Sequence, residues 1–222
     1  MDYPVQFLGY WMIKTIFWDF DGVIFDSMKI KSDGFIELFE EHDNLSLKKM
    51  EEYHYLYGGV SRFDKIRYFY TDILGKEIRE DEVVAFADEF AKIIEKKLFN
   101  RDNLIMDSVN FIEKNYKKYR FHIVSGAENN ELNRICDTFD LSKYFITIEG
   151  SPIKKDILIK DVLENYSYTK DECILIGDAI TDYNASKKNG IGFYGYNNIN
   201  LKKFDYIDSF ESFFKEEGLL YG

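Results

Sequence analysis

The sequence predicts an α/β fold: a doubly wound, Rossmann-like parallel sheet core interrupted by an inserted all-helical domain. Three observations lead there. Beyond about residue 100, short apolar runs alternate with amphipathic helical stretches, the pattern of a parallel sheet covered on both faces. A lone strand-like run, Lys14-Thr-Ile-Phe-Trp-Asp19, stands near the start and needs partners, all of which lie beyond residue 100. Between them, residues 27–100 show helical periodicity and no strand. The 222 residues therefore read as a core from residues 12–26 and 101–222 and a helical insertion over 27–100. Two such units suit a prior of about 100–200 residues per domain.

Taken in order, the first strand is β-branched and aromatic and ends at Gly22. Met12 serves equally well as a start, leaving Met1–Trp11 as an extension with no assigned role. In the insertion, Phe35, Ile36, Leu38 and Phe39 form one helical stripe. Ile66, Phe69, Tyr70 and Ile73 form a second, and Val83, Phe86, Phe90, Ile93 and Ile94 a third. The second half reads as strand Phe121–Val124, helix Glu128–Phe139, strand Tyr144–Ile148 and helix Asp156–Asn165. Strand Cys173–Ile176, helix Thr181–Asn189 and strand Ile191–Tyr194 follow.

Ligands of open α/β sheets bind beyond the carboxyl ends of the strands, so the residues after each strand are the candidates. After the first come Asp19-Phe-Asp21-Gly22, and after the second Ser125-Gly126. The Lys154-Lys155 pair lies near the third, and Gly177-Asp178-Ala-Ile-Thr-Asp182 follows the fourth. Each has an ordinary reading as well: a solvated acidic loop, a helix cap at Ser125, surface lysines, or first-turn acids at Asp178 and Asp182. Their conjunction along one edge is what those readings explain poorly.

Asp19-Phe-Asp21-Gly-Val-Ile-Phe-Asp26-Ser27, Ser125-Gly, a lysine, and Gly177-Asp178-x-x-x-Asp182 together resemble the haloacid dehalogenase superfamily. The resemblance runs from Lys14 to about Tyr194, and the insertion is similar to a helical cap. It implies a hydrolase of phosphate monoesters in which Asp19 is the nucleophile and Asp21 the general acid and base. Mg²⁺ would be held by Asp19, the carbonyl of Asp21 and Asp178, with Asp182 steadying the site. Ser125, Gly126 and Lys155 (or Lys154) would bind the phosphoryl group. Of the two lysines, Lys155 is favoured because it lies nearest the start of a helix. An acid at position 21 suits an alkoxide leaving group and sets the chain apart from members that cleave carbon–halogen bonds.

Within the insertion, Gly59-Val-Ser61-Arg62 is similar to the specificity loop of β-phosphoglucomutase-like members, which implies substrate contacts for Arg62, with Lys65 and Lys31 as further candidates. The ordinary reading is a helix capped by Ser61, with Arg62 and its neighbours on the solvated face. Mutases of this kind have a histidine ten residues after the acid/base aspartate. Lys31 occupies that place here and favours a phosphatase over a phosphomutase. A non-catalytic binding module on the same fold is the third reading.

Net charge is −11, which excludes a phosphate-coating nucleic-acid partner, but Ser61–Arg67 carries three basic residues against one acidic. The expected partner is a small phosphorylated metabolite, with no membrane, and the expected state a monomer or homodimer. Two cysteines, Cys136 and Cys173, suggest reduced core thiols. The absence of a basic, apolar leader suggests a cytoplasmic protein. Asn165-Tyr-Ser167 and Asn184-Ala-Ser186 read as chance glycosylation matches. The run Gly190–Gly195 matches a dinucleotide pattern by chance, since it lies across a strand. His122, in an apolar strand, reads as a core histidine.

Overall fold

The structure is a computed structural model that describes residues 13–212; Met12 and the extension Met1–Trp11 lie outside it. Six strands form one parallel sheet: β1 (Thr15–Trp18), β2 (Arg120–Glu128), β3 (Thr147–Ser151), β4 (Cys173–Gly177), β5 (Gly192–Tyr196) and β6 (Tyr206–Ile207). Their order is β3-β2-β1-β4-β5-β6. β1 thus lies in the middle, with Thr15 opposite Arg120 on one side and Cys173 on the other. Its run of apolar side chains, buried along its whole length, is what a central parallel strand requires. The chain reverses its direction of winding at β1, and that reversal puts the ends of β1 and β4 side by side at the usual ligand position.

Side chains alternate across the sheet. Ile16 and Trp18 point into a core with Phe111, Phe121, Leu132 and Phe210, where Trp18 meets Phe121 edge-on at 5.5 Å. Phe17 points the other way, with Leu158, Ile159, Leu175 and Phe193. The helices α5 (Met106–Asn115) and α6 (Asn129–Thr138) supply the first layer, and α7 (Lys155–Asn165) and α8 (Ile180–Asn189) the second.

Between β1 and β2 lie α1 (Met28–Leu38), α2 (Asn44–Leu56), α3 (Arg62–Tyr68) and α4 (Glu80–Leu98). A wider turn over Phe69–Ile73 extends α3. The aromatic stripes close on each other: Phe35 stacks on Phe90 at 4.2 Å and Phe39 on Phe69 at 3.8 Å. Gly34 lets α1 approach α4, since a Cβ there would sit 2.4 Å from Ile94.

The structure moves several expected boundaries. The third strand is Thr147–Ser151, whereas Ser142–Tyr144 forms a single tight helical turn. β2 runs on to Glu128 through an irregularity in its pairing with β3 after Val124. α2, α5 and β6 were not anticipated. The Gly190–Gly195 run is a left-handed helix end followed by β5. Cys136 and Cys173 are free and buried, and His122 is a core residue bonded to Thr147 and Tyr168. Among the described residues no helix is long and apolar enough to cross a membrane.

Phe90 is 1% exposed and anchors the insertion. Phe90→Ala should lower the free energy of unfolding by about 3–5 kcal/mol, read from denaturant titration. A loss below about 1 kcal/mol would mean that this cluster does not hold the insertion together.

Candidate active site

The site begins where β1 ends. Asp19 donates its backbone N–H to Ile176 O at 2.9 Å, continuing the ladder one residue past the strand. Its carboxylate accepts the N–H of Phe20 at 2.7 Å. A tight turn follows, closed by Gly22 N–H to Phe25 O at 2.8 Å. Gly22 has φ +79°, and a Cβ there would lie 2.0 Å from Oδ2 of Asp178. Glycine alone satisfies both the left-handed backbone and the close carboxylate.

Asp19, Asp178 and Asp182 each place a carboxylate oxygen within 4.8 Å of the others. Lys155, from the first residue of α7, lies between two of them, 2.9 Å from Oδ1 of Asp19 and in direct contact with Asp182. Asp182 also accepts the N–H of Ala179 at 3.0 Å, so it closes the start of α8 while it anchors the lysine. Lys154 stands at the N-cap position of α7, makes no side-chain cap and is exposed; Lys155 is the lysine in the cluster.

Burial and the neighbouring Asp182 push the Asp19 carboxyl up to about 7, although Lys155 pulls the other way. Asp178 is also raised, by burial and by Asp19. Lys155 is raised despite burial, because Asp182 and Asp19 hold its proton. Carboxylates that repel one another at one edge fit a hard cation with oxygen ligands. Asp19 and Asp178 are the available ligands, while both oxygens of Asp182 are already committed.

Ser125 lies in β2, buried, and its Oγ accepts the N–H of Ala127 at 3.1 Å. Glu128, not Ser125, caps α6. Gly126 permits the insertion to touch the core: a Cβ there would lie 2.3 Å from the carbonyl oxygen of Gly59.

The insertion brings three cations to this edge. Lys31 binds Asp21 Oδ2 at 2.5 Å, and Ser27 donates its hydroxyl to Oδ1 of the same group. Burial alone would raise Asp21, but Lys31 and Ser27 outweigh it and hold the carboxyl below its usual range. Asp21 is thus turned toward α1. Arg62 departs from the solvated reading. Its guanidinium forms a buried pair with Glu131 of α6, lies 5.1 Å from the centre of the Phe90 ring and borders the small cavity beside Asp21. Ser61 does cap α3, accepting the N–H of Asp64 at 3.2 Å. Lys65 is buried rather than on a solvated face, against His54 and the carbonyl of Gly58.

Sequence reasoning missed Ser27, His54, Glu131 and the pair Asn197 and Asn198. Asn197 donates to Gly22 O at 3.0 Å and Asn198 to Asp178 O at 2.7 Å, pinning both acidic loops from the end of β5. They follow a predicted strand, so the strand-end rule reaches them when it is applied to the fifth strand as well.

Because Asp19 and Asp178 hold protons more tightly than free carboxylates, a divalent cation bound by them would have to displace those protons. Mg²⁺ binding measured by calorimetry should release protons at pH 5 to 6, and its affinity should rise as pH increases through about 7. A pH-independent affinity without proton release would contradict this arrangement.

Comparison with known proteins follows the geometry. A sequence profile described as haloacid dehalogenase-like hydrolase matches residues 16–196. No match is found among curated proteins. A β-phosphoglucomutase structure from Clostridium difficile superposes with a TM-score of 0.74 at 19% identity, covering 94% of this chain and 98% of that one. A predicted phosphatase from Clostridium acetobutylicum gives 0.73 at 16% identity, over 94% and 100%. A putative hydrolase of the same superfamily, YfnB from Bacillus subtilis, solved with magnesium bound, gives 0.67 at 15%, over 93% and 99%. At these identities the structures show a shared fold, and the profile extends from the first residues of β1 to the end of β5: the chain belongs to the haloacid dehalogenase-like hydrolase family.

Proposed function

We propose that this protein is a Mg²⁺-dependent phosphatase that hydrolyses a small phosphorylated metabolite through an aspartyl-phosphate on Asp19. The observation that carries the reading is the buried contact of Asp19 with Lys155, two residues before an acid that is itself held by Lys31. A carboxylate attacks phosphorus when the charge between them is neutralised. Lys155 supplies a fixed cation beside the attacking oxygen, and its buried pairing with Asp182 keeps it there. Mg²⁺, held by Asp19, the carbonyl of Asp21 and Asp178, would add the charge that lets two anions meet.

In the first half-reaction an oxygen of Asp19 forms a bond to phosphorus, the ester bond breaks, and the alkoxide takes a proton from Asp21. In the second, Asp21 takes a proton from water as that water attacks the phosphorus of the aspartyl-phosphate, releasing phosphate and restoring Asp19. Ser125 offers its hydroxyl hydrogen to the phosphoryl oxygens, and Gly126 adds no side chain beside them. The Ser27 and Lys31 contacts favour the anionic form of Asp21, the form that accepts a proton from water; the first half-reaction requires that Asp21 has taken up a proton before the ester bond breaks. Lys31, at the place where mutases of this kind have a histidine, favours hydrolysis over the phosphomutase alternative.

Asp19→Asn should lower Mg²⁺-dependent phosphate release from a generic aryl phosphate by at least about a thousandfold. Asp21→Asn should lower it by about 10²–10⁴. Both are read by phosphate assay, with hexose phosphate isomerisation followed in parallel. Full activity in the Asp19 variant, or isomerisation outpacing phosphate release, would overturn the phosphatase reading.

A further inference from the structure

The face of the insertion that meets the core holds more positive charge than its own carboxylates balance. Lys31 is paired with Asp21 and Arg62 with Glu131. Lys65 is 3% exposed and has no carboxylate of a described residue within ion-pair distance. Its ammonium lies 3.0 Å from Nδ1 of His54 and 3.2 Å from the carbonyl of Gly58. Nε2 of His54 lies 3.0 Å from the carbonyl of Met28 and donates to it. Nδ1 is then an acceptor, and the ring is neutral. Burial and the Lys65 charge hold this histidine near 3. Two neutral acceptors thus orient an ammonium that no carboxylate of a described residue contacts; Asp21, Asp178 and Asp19 attract it only from a distance.

An ammonium taken out of water without a counter-charge costs several kcal/mol. The same burial, with the nearby Lys31 charge, lowers Lys65 to about 7. Such a cost is retained where the counter-charge arrives with a ligand. The opening lies beside it: a cavity of about 20 Å³ lined by Asp21, Lys31, His54 and Lys65, with Phe35 and Phe90 closing its apolar side. Val60 and Gly126 border both this chamber and an open cleft of about 440 Å³ on the Lys155 side. Asp21 faces the chamber, so it lies on the leaving-group side of the reaction.

We propose that Lys65 is a specificity-determining residue, and that the alcohol portion of the substrate carries a carboxylate, a few atoms from the phosphate, which pairs with it. The inference rests on the phosphatase reading in placing the phosphoryl group at Asp19. One uncompensated cation calls for a single negative charge. A carboxylate is the smallest organic anion that carries that charge, and a chamber this narrow favours it on a short arm over a second phosphate or a sugar ring. Arg62 also borders the chamber, but its charge is already matched by Glu131 through Nη2.

The test uses phosphonates, whose carbon–phosphorus bond this chemistry does not cleave, so binding is read without turnover. Calorimetry on the Mg²⁺-loaded protein should show 3-phosphonopropionate binding at least tenfold more tightly than butylphosphonate. In Lys65→Met the ratio should fall to within threefold, and the melting temperature should hold or rise as an unpaired buried charge is removed. Lys65→Gln, which keeps a donor for the Gly58 carbonyl, gives the same reading if the methionine variant does not fold. Equal affinities in the unaltered protein, no binding of either phosphonate, or a ratio that survives in both variants would overturn the proposal. A failure to release phosphate from aryl phosphates would instead count against the phosphatase, and the affinity ratio would stand apart from it.

Discussion

The rest of the site depends on one constraint: carboxylates crowded at the end of β1 and β4 around a single buried ammonium. Asp19, Asp178 and Asp182 would repel one another in a site with little water. Lys155 contacts two of the three and makes the cluster tolerable. Its position follows from the first turn of α7, and that of Asp182 from closing the first turn of α8. The winding reversal that places β4 beside β1, the bare Cα of Gly22 and the asparagines after β5 all converge on the same few ångströms. Removing the lysine would leave anions uncompensated, a larger penalty than any one hydrogen bond there contributes.

The insertion solves the complementary problem. It reaches the core with Lys31, Arg62 and Lys65, and two of these meet acids that belong to core elements or their loops. Its own stability comes from stacked aromatic rings, so the polar face need not contribute to it. The close approach of Gly59 to Gly126 brings these two economies into contact without a side chain between them.

The core strands and the placement of their terminal residues were legible because both rest on local pattern. A buried β-branched run announces β1, and the residues after it have nowhere to go but the sheet edge. The choice between Lys154 and Lys155 turned on which residue opens a helix, also a local matter. What the sequence did not reveal lies between segments distant in the chain. Nothing near Arg62 points to Glu131, 69 residues away, and nothing near Lys65 points to the neutral ring of His54 rather than to a carboxylate. A basic loop with helical spacing reads as solvated surface until its partner across the interface is known. Thr147–Ser151 was displaced for a different reason: Tyr144, Phe145 and Ile146 have strand-like side chains, but a short helical turn takes up the start of that run.

Ser27 and Lys31 sit at the beginning of α1, directly after the turn that carries Asp21. The proton affinity of that carboxyl is therefore a function of where one helix stands. With α1 in place the anionic form is favoured, because the Lys31 contact is the main force opposing burial. Were that contact lengthened, the same oxygen would hold a proton more readily. The charge of a group on a core loop is thus tied mechanically to the placement of a helix of the insertion.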